Sequence, residues 1–209
     1  VIPSLPTMIR VVAAQPAERR DWSGIESMIQ QLSGGQPGQS NVRLALARSE
    51  LFTVQGDLDA AESSLPPSTE DAPAAQFDPL RVSLVGRRDG VAAMHAALDT
   101  LPKWRRARGT VLAAAARVEA TFSSGDDRDW LRSAAAASDA IPTATDAVQL
   151  LQQLASLARD AGWPDEARAL WERAAARLPD DFRPHLAIAI DAADRGDADV
   201  ARSEEHTSE

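Results

Sequence analysis

The chain of 209 residues contains no cysteine, no tyrosine and a single lysine, Lys103. Without cysteine the protein can form no disulfide and no thiolate metal site, and a thiol nucleophile is excluded. A cysteine-free chain suits the cytoplasm and the periplasm equally, so the compartment stays open. No apolar run approaches the ~20 residues that a membrane-spanning helix needs, so we predict no membrane insertion.

Positive charge is also scarce, because 22 lysines and arginines face 31 aspartates and glutamates, giving a formal net charge of −9. Phosphate backbones and anionic lipid headgroups repel an acidic chain, so we predict no general binding to nucleic acid or to anionic membranes. Alanine makes up about a fifth of the chain, far above ordinary usage, and this indicates mostly helical structure. Alanine is abundant, and every basic residue except Lys103 is arginine or histidine. This bias is typical of a GC-rich bacterial gene.

Motifs that carry chemistry are missing from the sequence. It has no phosphate-binding Gly-rich loop followed by Lys-Ser/Thr, no GxGxxG and no HExxH. The histidines His95, His185 and His206 include no pair at metal-ligand spacing, and we expect His95 to be a packed or half-exposed helix residue. The acidic clusters Asp126-Asp127-Asp129 and Asp180-Asp181 stand just before helices, which favours capping over acid–base chemistry or a cation site. We therefore predict no enzyme, no metal and no cofactor, and we do not expect a small-molecule ligand.

One basic cluster, Lys103 to Arg108, contains an aromatic residue, Trp104. It could contact phosphate or an acidic partner, with Trp104 stacking on a base. The acidity of the whole chain favours the simpler interpretation, in which the cluster is a solvated helix face and Trp104 packs inward.

The stretch from Val148 to Pro179 reads as two amphipathic helices around a tight turn. The apolar residues of the first helix recur at intervals of three and four, as one helical face requires: Leu150, Leu151, Leu154, Leu157 and Ala158. Gly162 ends this helix, where the backbone needs a left-handed residue, and Pro164 begins the next one. The apolar face of the second helix consists of Ala167, Leu170, Trp171 and Ala174. We predict a helical hairpin with Trp171 buried between the helices.

The spacing of these residues resembles the tetratricopeptide repeat (TPR) family, whose unit is a helix–turn–helix of about 34 residues. With Val148 in the first position, Gly162 falls on the family's turn, Trp171 on its second aromatic and Pro179 on its final proline. The pattern recurs one unit later, where Gly196 stands in the position of Gly162. The resemblance is strongest over residues 148–201. It implies an all-α fold, a right-handed superhelical solenoid of about five TPR-like hairpins.

The chain divides into predicted parts at the prolines that close each hairpin and at one polar stretch. The predicted parts are an N-terminal partial repeat and loop (1–40), a TPR-like repeat (41–67), a linker (68–76), a degenerate repeat (77–102), a degenerate long repeat (103–142), a TPR repeat (143–180), a truncated TPR repeat (181–201) and a tail (202–209). The tail resembles the in-frame translation of a sequencing adapter, and we interpret it as an artefact rather than a polar second helix. We expect the chain to be a fragment of a larger protein.

In the family that the chain resembles, the first helices of the hairpins line a concave groove that holds a peptide or a partner helix. Carried over by register, the groove-facing residues would be Gln149, Gln152, Ser156, Arg159, Asp160, Arg183, Leu186, Ile190 and Asp194. Mixed polar side chains suit a peptide backbone and its charged groups. Ordinary solvated helix surface is the alternative for each residue.

The resemblance therefore implies a protein-interaction scaffold that binds a protein or peptide. Two other functions stay open. The chain could be a structural spacer or assembly arm, for example of a secretion or polysaccharide-export system. It could also present substrate to the catalytic domain of an enzyme that lies outside this sequence.

Overall fold

The computed structural model describes residues 4–33, 42–69, 72–123 and 127–196. These residues are mostly helical and contain no strand, so the predicted all-α class is confirmed. The chain divides into two compact units, residues 1–84 and 85–209, and the division falls within one helix. The predicted tail, 202–209, lies outside the described residues.

Unit 1 includes two small cores among its described residues. Its helices are α1 (Leu5–Ala13), α2 (Ser23–Ser33), α3 (Val42–Gln55), α4 (Leu58–Ser63), α5 (Ala72–Ala75) and the first part of α6 (Asp78–Asp89), with a 3₁₀ turn at Ala17–Arg19. One core joins α1, α2 and α3 through Ile9, Ile25, Ile29, Leu44 and Leu51. The other is built around Ala61, Leu65, Phe77 and Leu84. Within the stretch predicted as a linker, α5 forms one helical turn, and its Ala74 and Ala75 are buried.

Unit 2 contains an extensive hydrophobic core among its described residues. Its helices after α6 are α7 (Val91–Thr100), α8 (Lys103–Arg106), α9 (Gly109–Phe122), α10 (Asp129–Ala137), α11 (Ala144–Asp160), α12 (Pro164–Arg177) and α13 (Phe182–Asp194), with a 3₁₀ turn at Ser138–Ala140. The core draws on α9 to α13 and is densest where α11 packs along α12.

The hairpin α11–α12 follows from its sequence. Thr143 caps α11 by accepting a hydrogen bond from the backbone N–H of Asp146. At the other end Gly162 has φ +80°, a conformation that favours glycine, so the predicted left-handed turn is confirmed. Ala155 and Ala167 are fully buried, which lets the two helices approach closely. Trp171 is 3 % exposed, as predicted.

Glycines in the left-handed region mark four bends. They are Gly56, Gly90, Gly162 and Gly196, with φ between +79° and +88°. The first two are separated by the length of one TPR unit, and so are the last two. Each of the first three stands between two consecutive helices. The interval between Gly90 and Gly162 is not a multiple of that length, so the spacing is regular within each pair and not across all four glycines.

Arginine side chains link successive hairpins of unit 2. Arg173 on α12 donates to the backbone oxygen of Ala135 at 3.1 Å and to Asp139 at 3.2 Å, and Arg177 donates to the backbone oxygen of Ile141 at 3.2 Å. The ion pairs Arg128–Glu166 and Arg195–Asp165 are two further links. In each pair the two residues are separated in sequence by about the length of one repeat. These bonds fix each hairpin against its neighbour.

The basic cluster of α8 differs from the prediction. Trp104, expected to pack inward, is 53 % exposed, whereas Arg105 beside it is 2 % exposed. The prediction was wrong because α8 is a single turn, too short for apolar periodicity to determine which residue faces the core.

Candidate functional site

An open cavity of about 540 Å³ lies along α11 in unit 2. One face of α11 forms its floor, supplied by Gln149, Gln152, Gln153, Ser156, Leu157 and Asp160. Arg117 on α9 and Arg183 near the start of α13 complete the lining. The floor residues recur at three- and four-residue intervals, so a single helix presents them together.

Five of the nine residues predicted to face the groove line this cavity: Gln149, Gln152, Ser156, Asp160 and Arg183. The other four do not line it. Arg159 is exposed, and its guanidinium carbon lies 5.8 Å from the centre of the Trp171 ring, a cation–π distance. Leu186, Ile190 and Asp194 lie on α13 outside the cavity.

Three lining residues were missed: Arg117, Gln153 and Leu157. Gln153 and Leu157 follow the predicted Gln152 and Ser156 directly, and the register of the family offers no reason to add them. Arg117 belongs to α9, whose repeat register is unclear in the sequence. Only the packing of α9 beside α11 brings Arg117 to the cavity.

The polar groups of the cavity have unused bonding capacity. The amide nitrogen of Gln152 is buried and has no hydrogen-bond partner. Ser156 donates to the backbone oxygen of Gln152 at 3.1 Å and can still accept. Within the described part of the chain, neither the guanidinium of Arg117 nor the carboxylate of Asp160 forms an ion pair. A bound peptide could therefore form hydrogen bonds with Gln152 and Ser156, and its charged groups could pair with Arg117 or Asp160.

Arg183 is held in place at the edge of the cavity. Its Nε donates to Oδ1 of Asp181 at 2.8 Å and its Nη2 to Oδ2 at 2.6 Å, a two-pronged pair. Asp181 also caps α13 by accepting the backbone N–H of Arg183 at 3.1 Å, so the predicted capping role is confirmed. The hydrogen bond from the Arg183 side chain lowers the pKa of the Asp181 carboxyl against the opposing effect of burial, and the pair raises the pKa of Arg183.

A second cavity, of about 600 Å³, is lined in part by His95, Glu119, Asp127 and Asp129. Nε2 of His95 lies 2.8 Å from Oε1 of Glu119, and the His95 side chain is half-exposed as predicted. Asp127 accepts the backbone N–H of Asp129, and Asp129 pairs with Arg132, so both carboxylates are engaged locally. Across the described residues no group of three or more His, Asp or Glu could hold a metal ion.

No helix in the described part of the chain is both long enough and apolar enough to cross a membrane. Comparison with protein-family models, with curated proteins and with solved structures finds no match to this chain.

Proposed function

We propose that this protein is a protein-interaction scaffold, a TPR-like solenoid whose groove holds a peptide or a partner helix. One observation carries the proposal. Gln149, Gln152, Ser156, Asp160 and Arg183 were chosen from repeat register alone, and they line one cavity. Four of them share one face of α11, and the fifth, Arg183, reaches the same cavity from α13.

The chemistry of the cavity suits a polypeptide ligand. Glutamine side chains both donate and accept hydrogen bonds, so they can pair with the N–H and C=O groups of an extended or helical backbone. Small-molecule sites usually enclose their ligand in a mostly apolar pocket, whereas this cavity is open and its floor is polar. A surface that follows α11 over several turns favours a ligand of similar length.

In this proposal the chain belongs to a larger bacterial protein and supplies its binding surface. The competing roles, a passive spacer or assembly arm and a substrate-presenting region of an enzyme, make different demands on the groove. A spacer needs no ligand there, so variants of the groove would leave its behaviour unchanged.

The proposal can be tested with a phage-displayed library of random 16-residue peptides selected on the immobilised chain. We expect clones whose synthetic peptides bind with Kd values in the micromolar range. Ser156→Arg, which fills the cavity, should weaken binding at least tenfold. Ala176→Arg provides the matched control, because Ala176 is exposed on α12 and does not line the cavity.

Both variants must keep the circular-dichroism spectrum and melting temperature of the parent chain. If no clone is enriched, or if Ser156→Arg and Ala176→Arg affect binding equally, the scaffold proposal fails and a spacer role is favoured.

A further inference from the structure

The last described helix, α13, carries an uncovered apolar ridge. Phe182, Leu186 and Ile190 are 57 %, 50 % and 47 % exposed. They are spaced four residues apart and therefore lie on one face, and Asp194, four residues further, continues the same line. We call these four residues the outer face of α13.

This face differs from its counterpart one repeat earlier. Val148 on α11 stands one repeat length before Phe182 and is fully buried, whereas Phe182 is largely exposed. Single exposed apolar side chains are normal on a protein surface, but a contiguous row on one helix marks an interaction site. The outer face is therefore as apolar as a helix face that is normally buried, but no described residue covers it.

A carboxylate stands at the C-terminal end of α11 and another at the C-terminal end of α13. Asp160 is the last residue of α11 and Asp194 is the last residue of α13, again one repeat length apart. Both are exposed, and within the described ranges neither forms an ion pair. A negative charge at a helix C-terminus opposes the helix dipole, so stability does not account for this placement.

The two carboxylates also lie toward the same end of the structure. Short connections join α11 to α12 and α12 to α13, and short connections reverse the chain direction. After two reversals α11 and α13 run in the same sense. An arginine stands beside each carboxylate but is already engaged, because Arg159 lies over the Trp171 ring and Arg195 pairs with Asp165 and Asp191. Within the described ranges Asp160 and Asp194 are therefore left to bind a cation from outside.

We propose that the outer face of α13, together with Asp160, docks an amphipathic α-helix whose apolar face ends in a lysine or arginine. This inference rests on the proposed function and names its partner class. Apolar side chains of the partner would cover Phe182, Leu186 and Ile190, and its cation would bind between Asp194 and Asp160. The net charge of −9 would steer a basic segment toward the surface. The ridge spans about 18 Å at about 1.5 Å per residue, so a partner of about three to four turns would cover it.

The test uses three fluorescein-labelled 18-residue peptides in fluorescence anisotropy at 150 mM salt. The first has leucines at helical spacing along one face and lysines beside them. The second replaces each lysine by glutamate, and the third replaces each leucine by serine. We expect the Leu/Lys peptide to bind at least tenfold more tightly than either of the others.

Variants locate the site, and each has a matched control. Leu186→Ser with Ile190→Ser should weaken Leu/Lys binding at least tenfold, whereas Val11→Ser, at an exposed position of α1, should leave it unchanged. Asp160→Asn with Asp194→Asn should weaken it at least fivefold. Glu18→Gln with Asp99→Asn makes the same change in net charge at exposed positions outside α13 and should change the affinity less than twofold.

Equal binding of the Lys and Glu peptides, or equal losses in both double charge variants, would overturn the inference. Self-association that Leu186→Ser abolishes in sedimentation velocity would overturn it too, because the cover would then be a second copy of the chain. If library peptides bind through Ser156 while Leu186→Ser has no effect, the scaffold proposal stands and the assignment of this partner falls.

Discussion

At the scale of single residues, Trp171 is, with Trp163, one of two tryptophans that are buried in the hairpin α11–α12. It packs among small residues, since Ala155, Ala167 and Ala174 are all fully buried in the same core. Alanine neighbours cannot extend into a space that a tryptophan vacates. The stability of the hairpin therefore depends heavily on this one ring.

We expect Trp171→Ala to lower the free energy of unfolding by roughly 3–5 kcal/mol, the usual cost of removing a large buried aromatic. Trp104→Ala is the control, and it should cost less than about 1 kcal/mol because Trp104 is largely exposed. Urea denaturation followed by circular dichroism measures both. Equal costs for the two variants would contradict the burial of Trp171.

Asp181 gives the stability a predictable dependence on pH. Its pKa is lower in the folded chain than in the unfolded chain, chiefly because the Arg183 side chain donates to it. The stabilisation is therefore fully present above the unfolded pKa of about 4 and is lost as the pH falls through the lower folded pKa.

We expect Asp181→Asn, which keeps a capping side chain, to lower the melting temperature at pH 7 and to approach the parent chain below about pH 4. Asp181→Ala should cost more, about 0.5–2 kcal/mol from the cap alone. Differential scanning calorimetry between pH 7 and pH 2.5 measures the difference. A difference that grows in acid would have the wrong sign for this account.

At the scale of helices, the close approach of α9 to α11 sets the wall of the cavity. A Cβ atom added at Gly109 would lie 2.5 Å from the backbone oxygen of Asp146 and 3.6 Å from Cβ of Leu150. Neither helix can yield locally, because the nearest atom belongs to the backbone of α11. Glycine at this position allows Arg117 to reach the cavity along α11.

We expect Gly109→Ala to destabilise the chain by roughly 1–3 kcal/mol, the range for overpacking, although alanine is the better helix former. Gly24→Ala in α2 is the control, since no atom lies within 4 Å of its added Cβ. That variant should be neutral or stabilising by up to about 1 kcal/mol. Thermal unfolding of both variants separates packing from helix propensity, and a neutral Gly109→Ala would argue against the close approach.

Local patterns predicted the helices more completely than their mutual arrangement. The hairpin from Val148 to Pro179 carried its own signals, namely two apolar faces, Gly162 and Pro164, and its structure agrees. Contacts between distant residues had no such signal. The rings of Trp130 and Trp163 lie 6.0 Å apart, and Arg173 bonds to the preceding hairpin, yet neither contact could be read from the sequence.

The candidate site, too, could be predicted only where local sequence patterns determine it. Five lining residues follow from the register of α11 and α13, where the repeat pattern is clear. Arg117 could not be found because α9 belongs to the degenerate long repeat (103–142), onto which the register of the family was not carried. For α13, the pattern could select Leu186 and Ile190 but not tell whether another helix covers them.

At the scale of the whole molecule, acidity limits the possible partners. Within the basic cluster of α8, Arg105 is buried and Arg106 pairs with Asp99 at 2.6 Å, so few of its charges can face a phosphate backbone. We expect no binding to a 30-base-pair DNA duplex tighter than about 100 µM at 150 mM salt, measured by anisotropy. Binding below about 1 µM that Trp104→Ala abolishes would instead assign a nucleic-acid role to the exposed tryptophan.

Binding in a groove along α11 is the central claim, and an amide NMR titration of the chain with the tightest peptide from the library selection tests it most directly. We predict that the largest chemical-shift changes fall on Gln149, Gln152, Ser156 and Asp160 and on α13, with α1 and α2 unchanged. Largest changes around His95 and Glu119, or within unit 1, would contradict the account.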